Sequence, residues 1–242
     1  MARRLHGAER WAFHTMSDRL NDKSPIRPAM STDWTGLSRF GGVAFMLSGA
    51  LFFTRYVLDV MAGPPPSTGA EIIVWVEANR LALSLVSEVL FFASISLVPA
   101  VIALYLSLAS VERTLAAIGC GIIAIVVPVL GVLLIVHGRL VYPIYGLRIS
   151  DPAVAEFVVA LFFGGLHAIG LLMAVATFVL SLAMRRGAFG APVAALGFAT
   201  AAGDTVGAYP DLISPVVLFG CQLLFTAWFA AVGWKLFRIQ GG

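Results

Sequence analysis

From residue 40 onward the chain alternates between long apolar runs and short polar breaks. Six runs stand out, at 40–62, 80–109, 114–137, 154–183, 189–209 and 214–237. Each reaches the roughly 20 residues that a helix needs to cross a bilayer, and 80–109 and 154–183 are long enough to tilt or protrude. Lipid offers backbone groups no hydrogen-bond partner, so such runs must satisfy their own, as helices do. A barrel would need short segments of alternating polarity, and none are present. The breaks support the divisions. Three prolines in "GPPPSTG" (Gly63–Gly69) end the first run, because proline cannot continue a helix. "SVERT" (Ser110–Thr114), "RRGAFGAP" (Arg185–Pro192) and "YPDLISP" (Tyr209–Pro215) read as tight turns. The pattern predicts an all-α fold, a polytopic membrane helix bundle with six transmembrane helices over 38–238.

Residues 1–37 are different. They form a basic N-terminal tail, and no apolar core follows the arginines of "MARRLHGAERW", so this is not a secretory signal peptide. Leu5, Ala8, Ala12, Met16 and Leu20 lie along one side of a helix that would rest on a membrane surface. A disordered tail, or a translation start at Met16 or Met30, fits the same residues.

Composition sharpens this picture. Of 242 residues, 60% are hydrophobic and 12% charged, against about 25% charged in a soluble domain. Basic residues then orient the bundle. Twelve of the sixteen fall on the side that holds both termini, and only Arg55, Arg80, Arg139 and Arg148 fall on the other. The excess marks the cytoplasmic side, with both termini there. The net charge of +3 follows from that threading and from anionic lipid, with no need for nucleic acid as a partner. Cys120 and Cys221 fall at opposite depths, so the threading predicts two buried thiols and no disulfide between them.

Polar residues inside the apolar runs carry the candidate chemistry, because a charge at the bilayer centre costs about 2.5–3.5 kcal/mol on insertion scales. They are Arg55, Asp59, Glu88, His167, Asp204 and Gln222, with His137 and Arg139 closing the third run. Arg55, Glu88, His167, Asp204 and Gln222 lie about 10 to 16 Å inward from the outer ends of their helices, at about 1.5 Å per residue, with Asp59 one turn nearer the end than Arg55. All are therefore in the outer half. Their faces agree as well. His167, Gly170, Ala174, Thr177 and Ser181 form one stripe of small and polar residues, as do Gly197, Thr200, Ala201, Asp204 and Ala208. Ser84, Ser87, Glu88, Phe91 and Ser94 share a face, and so do Gln222, Thr226, Phe229 and Gly233. Arg55 and Asp59, four apart, can pair within one helix. The eight residues predict an outward-facing polar layer, and "YPIYGL" (Tyr142–Leu147) predicts an interfacial cap over it.

"GRLVYPIYGL" (Gly138–Leu147), "FGGLHAIGLL" (Phe163–Leu172), "GAYPDLISP" (Gly207–Pro215) and "FTAWFAAVGWKLF" (Phe225–Phe237) together resemble a broad bacterial family of six-span membrane proteins known as a domain of unknown function. The resemblance covers about 38–238 and omits the tail. It implies six helices in a bacterial inner (cytoplasmic) membrane, and it brings no activity with it.

Three functional readings fit the polar layer. The first is a binding or transport pocket for a small amphiphilic ligand or a membrane lipid, with Glu88 and Asp204 as titrating carboxylates if protons are coupled to movement. No polar path crosses the inner half, and no inverted repeat is visible. The second is structural: Arg55 pairs with Asp59 or Glu88, and His167 with Asp204 or Gln222, fixing helix order in a subunit that serves a membrane protein partner. The third is a metal-dependent intramembrane lipid hydrolase, with Glu88, His137, His167 and Asp204 as the available zinc-type ligands. No H-E-x-x-H or H-x-x-x-H places two ligands on one helix, so no metal is expected. His137 and His167 differ in depth, which argues against a haem, and no buried lysine suits a retinal. No cofactor is expected.

Overall fold

The structure is a computed structural model that describes residues 33–239. The tail expected at 1–37, and its amphipathic or disordered character, lie almost wholly outside these residues. Among the described residues the chain is all-α. It runs α1 (Asp33–Ala62), α2 (Gly69–Ala78), α3 (Arg80–Val141), α4 (Pro152–Met184), α5 (Gly190–Gly207), a 3-10 turn at Pro210–Leu212, and α6 (Pro215–Arg238). Four helices are long and apolar enough to cross a membrane: α1, α3, α4 and α6.

Helix α3 spans 62 residues, but its backbone leaves helical geometry at Glu112 (φ −142°, ψ 72°). The two arms fold back on each other there. Ser87 Oγ lies 2.7 Å from His137 Nδ1, and the Tyr142 hydroxyl donates to the Ser84 carbonyl at 3.1 Å. Each pair is centred on residue 112 or 113, as an antiparallel hairpin requires. The runs expected at 80–109 and 114–137 are these two arms. Their separating turn is a single non-helical residue rather than the five expected.

Antiparallel neighbours continue around the molecule. In α1, Ser48 donates to the Ala93 carbonyl of the first arm (2.9 Å), while Gly41 packs against Pro99 and Ala103. The second arm meets α4 where Gly119 faces Leu180 and Gly165 faces Leu133. Helix α4 meets α5 at Ser181 and Gly197 and again at Gly170 and Ala208. Thr200 of α5 donates to the Leu224 carbonyl of α6 (3.1 Å), and Gly203 lies on Cys221. Helix α6 returns to α1, where Gly42 meets Gly233 and Gly49 meets Phe229. In every pair, numbers rise along one helix as they fall along the other. The result is a closed up-and-down ring of six helical segments. Glycine supplies many of these crossings, since without a side chain two backbones can approach closely.

The ring is unevenly filled. The end holding Glu112, Phe189 and Arg238 is packed with apolar side chains, among them Phe45, Leu108, Leu180 and Trp228, all fully buried. Phe45 packs on Phe229 (4.6 Å between centroids) and edge-on to Trp228 (5.7 Å). Cys120 and Cys221 are both buried and free.

The opposite end carries a helix that the apolar pattern did not reveal. Thr68 caps α2, accepting from the Glu71 amide at 3.4 Å and donating from its hydroxyl to the Glu71 carboxylate at 2.8 Å. Helix α2 packs on the start of α4, where Gly69 lies against the Pro152 backbone, and Trp75 Nε1 donates to the Ala62 carbonyl at 2.8 Å. Ile72 and Val76 join Ala62, Leu83, Val141 and Ala155 in a second apolar cluster. The cap expected at "YPIYGL" is a tight turn. Leu147 donates to the Ile144 carbonyl (3.0 Å), with Tyr145 at φ 53° and Gly146 at φ 78°, the positive pair of a type I′ turn. Tyr145 is 98% exposed.

Candidate functional site

A cavity of about 970 Å³ occupies this less-filled end of the ring. That is near the upper end of the range for small-molecule sites. All six ring segments contribute to its wall. It runs from the connecting loops at Gly63–Pro65 and Tyr209–Ile213 down to Val126 and Leu130. Val126 lies fifteen residues from the end of α3, about 22 Å at 1.5 Å per residue, so the cavity reaches the middle of the bundle.

Six of the eight residues singled out from the sequence line this cavity: Arg55, Asp59, His137, His167, Asp204 and Gln222. Arg55 and Asp59 pair within α1 at 2.5 Å, one turn apart. His137 is buried, held by Ser87, and stacked on Phe162 at 4.3 Å between centroids. His167 donates from Nδ1 to the Ala208 carbonyl at 2.7 Å and meets Tyr209 edge-on at 4.8 Å. In the neutral ring its Nε2 is then an acceptor. The expected pairing of His167 with Asp204 or Gln222 is therefore not formed. Two polar atoms of these residues, Asp204 Oδ2 and Arg55 Nε, are inaccessible to solvent and have no hydrogen-bond partner among the described residues, and Asp204 has no ion pair there either.

Glu88 and Arg139 are outside the cavity. Consecutive residues of a helix turn by about 100°, so with Ser87 directed inward its neighbour Glu88 swings to the outer edge of the same face. Glu88 is exposed and accepts a hydrogen bond from the Tyr142 hydroxyl at 3.0 Å. Burial pushes the Tyr142 phenol above its usual pKa, and the bond to Glu88 acts in the same direction, so it remains a donor at neutral pH. Arg139 lies two residues beyond the inward His137, about 200° around the helix, on the opposite side. It lines a separate hollow with Glu77, Arg80 and Arg148.

The four residues considered as zinc-type ligands are thus divided, with Glu88 removed from the other three. Among the described residues no group of three or more His, Cys, Asp or Glu side chains is placed to hold a metal ion. Sequence reasoning did not identify which aromatic residues line the cavity. Phe52 meets Phe225 edge-on (5.6 Å), and Phe162 meets Phe163 (5.3 Å), all four on the cavity wall. It also missed Trp75, hidden in α2, and Asp211, which lies in a segment read only as a turn. The spacing Thr68-x-x-Glu71, the sequence signature of a helix start, was the available signal for α2. The site can therefore enclose an apolar body of moderate size and offer it a few separated polar groups. No protein-family model, curated protein or solved structure matches this chain.

Proposed function

We propose that this chain is a six-span integral protein of a bacterial inner membrane, with both termini cytoplasmic, that binds a small amphiphile or lipid in an outward-facing pocket. The bacterial setting follows from the resemblance of Gly138–Leu147, Phe163–Leu172, Gly207–Pro215 and Phe225–Phe237 to the six-span family. The orientation follows from the twelve-to-four distribution of basic residues. One observation carries the functional reading: the 970 Å³ cavity gathers aromatic walls and the inward polar groups of five helical segments, and leaves the Asp204 Oδ2 unpartnered. A buried polar group is ordinarily satisfied, and a carboxylate in a low-dielectric site is expensive to leave alone. A ligand that donates a hydrogen bond to Asp204 removes that cost. The packed inner half gives a ligand no passage in this conformation, which favours binding over transport.

The structural-subunit reading has its own support in Arg55–Asp59 and Ser87–His137, two polar pairs formed within the ring. Native mass spectrometry of the gently released protein separates the readings. A retained lipid or small amphiphile, lost in Asp204→Asn, is the expected result. A bare chain, or one carrying only a protein partner, favours the structural role. A stoichiometric metal ion, lost in His167→Ala, favours the hydrolase.

A further inference from the structure

Beyond the large cavity, a hollow of about 200 Å³ lies between α2, the ends of the two α3 arms and the 142–151 loop. Its charged lining is Arg80, Arg139, Arg148 and one carboxylate, Glu77. Glu77 pairs with Arg80 at 2.5 Å and with Arg148 at 3.5 Å. Arg139 has no ion pair or hydrogen bond from its side chain to any described residue. The Nε of Arg80 is buried and likewise without a partner. Arg80 also occupies the first turn of α3, where the helix dipole disfavours a cation and favours an anion. One carboxylate for three guanidinium groups leaves a formal surplus of +2 in a small space. Arg148 and Glu77 are more than half exposed, so water screens much of the repulsion, but the surplus positive charge still favours an anion there.

Guanidinium groups present paired N–H donors that match phosphate oxygens, and they are the usual choice for that group. The hollow is small, so it fits a single tetrahedral anion rather than an extended ligand. Its position is informative too. It lies where both α3 arms end, beside Tyr142 and the turn at Tyr145, the level that aromatic residues mark as a headgroup boundary. Val76, Leu140 and Pro143 give it an apolar side. We propose that this arginine hollow binds a phosphate group, supplied by a phospholipid head in the bilayer or by free phosphate in solution.

The test uses the full chain in a mild non-ionic detergent. Native mass spectrometry measures retention of phosphatidylglycerol against a phosphate-free diacyl glycolipid with the same chains. A parallel measurement follows binding of inorganic phosphate. Arg139→Gln is the first variant, because Arg139 has no partner to lose and the fold should tolerate it; Arg148→Gln is the second, and thermal midpoints confirm folding. Preferred retention of the phospholipid, reduced about tenfold in Arg139→Gln, is expected from losing one charge-assisted hydrogen bond. Inorganic phosphate bound without phospholipid preference, and lost in the same variant, supports the site with free phosphate as its source. Equal retention of both lipids with no phosphate bound overturns the proposal, as does binding unchanged in both variants. Asp204→Asn should leave this binding intact, which separates it from occupancy of the large cavity.

Discussion

Asp204 and His137 both line the cavity, yet only one of them has a hydrogen-bond partner. Ser87 occupies His137 Nδ1, whereas Asp204 Oδ2 has nothing. Opposite mutational effects follow. Ser87→Ala should lower resistance to thermal or denaturant unfolding by about 1–3 kcal/mol, because it strands a buried ring nitrogen. Asp204→Ala removes a group that is already stranded, at the edge of a cavity, and should raise stability by about 1–3 kcal/mol in the empty protein. A loss of stability at Asp204 would mark it as internal glue and count against a pocket. Six of the eight candidate residues were legible because helix geometry fixes both depth and face once a span is placed. Glu88 and Arg139 were not, since one or two further residues of rotation carry a side chain out of the cavity, and a stripe drawn on a sequence does not resolve that angle. The aromatic walls were hidden for another reason. A phenylalanine facing lipid and one facing a cavity look the same in sequence.

Glycines divide by what lies opposite them. A side chain added at Gly42 would meet the backbone of Gly233 and Phe237, and backbone cannot move aside. One added at Gly121 in the second arm of α3 would meet open space. Gly42→Ala should therefore separate α1 from α6 and cost about 1–3 kcal/mol, the usual range for overpacking. Gly121→Ala should be neutral or stabilise by up to about 1 kcal/mol through helix propensity. Parallel melting curves of the two variants decide between them; equal midpoints would dissolve the close crossing of α1 and α6. The apolar runs located five of the six ring segments to within about four residues, because their ends carry proline, glycine and capping side chains such as Asp151 and Ser214, whereas α1 starts seven residues before the run at 40. Helix α2 escaped because it is short and its apolar positions pack on only one side. The turn at Glu112 was anticipated, but its abruptness was not, since no glycine or proline marks it.

At the scale of the whole molecule, the order of neighbours around the ring was not legible at all. Lipid and core are both apolar, so the hydrophobic contrast that reveals an inner face in a soluble protein is weak here. What remains is the weaker signal of small and polar residues, which indicates faces but not partners. Topology can still be tested directly, and Glu112 decides it. A continuous helix of 62 residues would extend about 90 Å, roughly three hydrocarbon thicknesses, so α3 must either turn or leave the membrane. Single cysteines can be placed in a background in which Cys120 and Cys221 are alanine. Glu112→Cys and Gly187→Cys lie at the packed end, Ser67→Cys and Tyr145→Cys at the end with the cavity. With six crossings and a cytoplasmic packed end, a membrane-impermeant thiol reagent applied to intact cells stripped of their outer wall should label Ser67→Cys and Tyr145→Cys. It should reach Glu112→Cys and Gly187→Cys only after lysis. The reverse pattern would keep the ring but turn the cavity toward the cytoplasm. Labelling of Glu112→Cys and Tyr145→Cys from the same side would break the ring itself, because the two arms of α3 could not then each cross the bilayer.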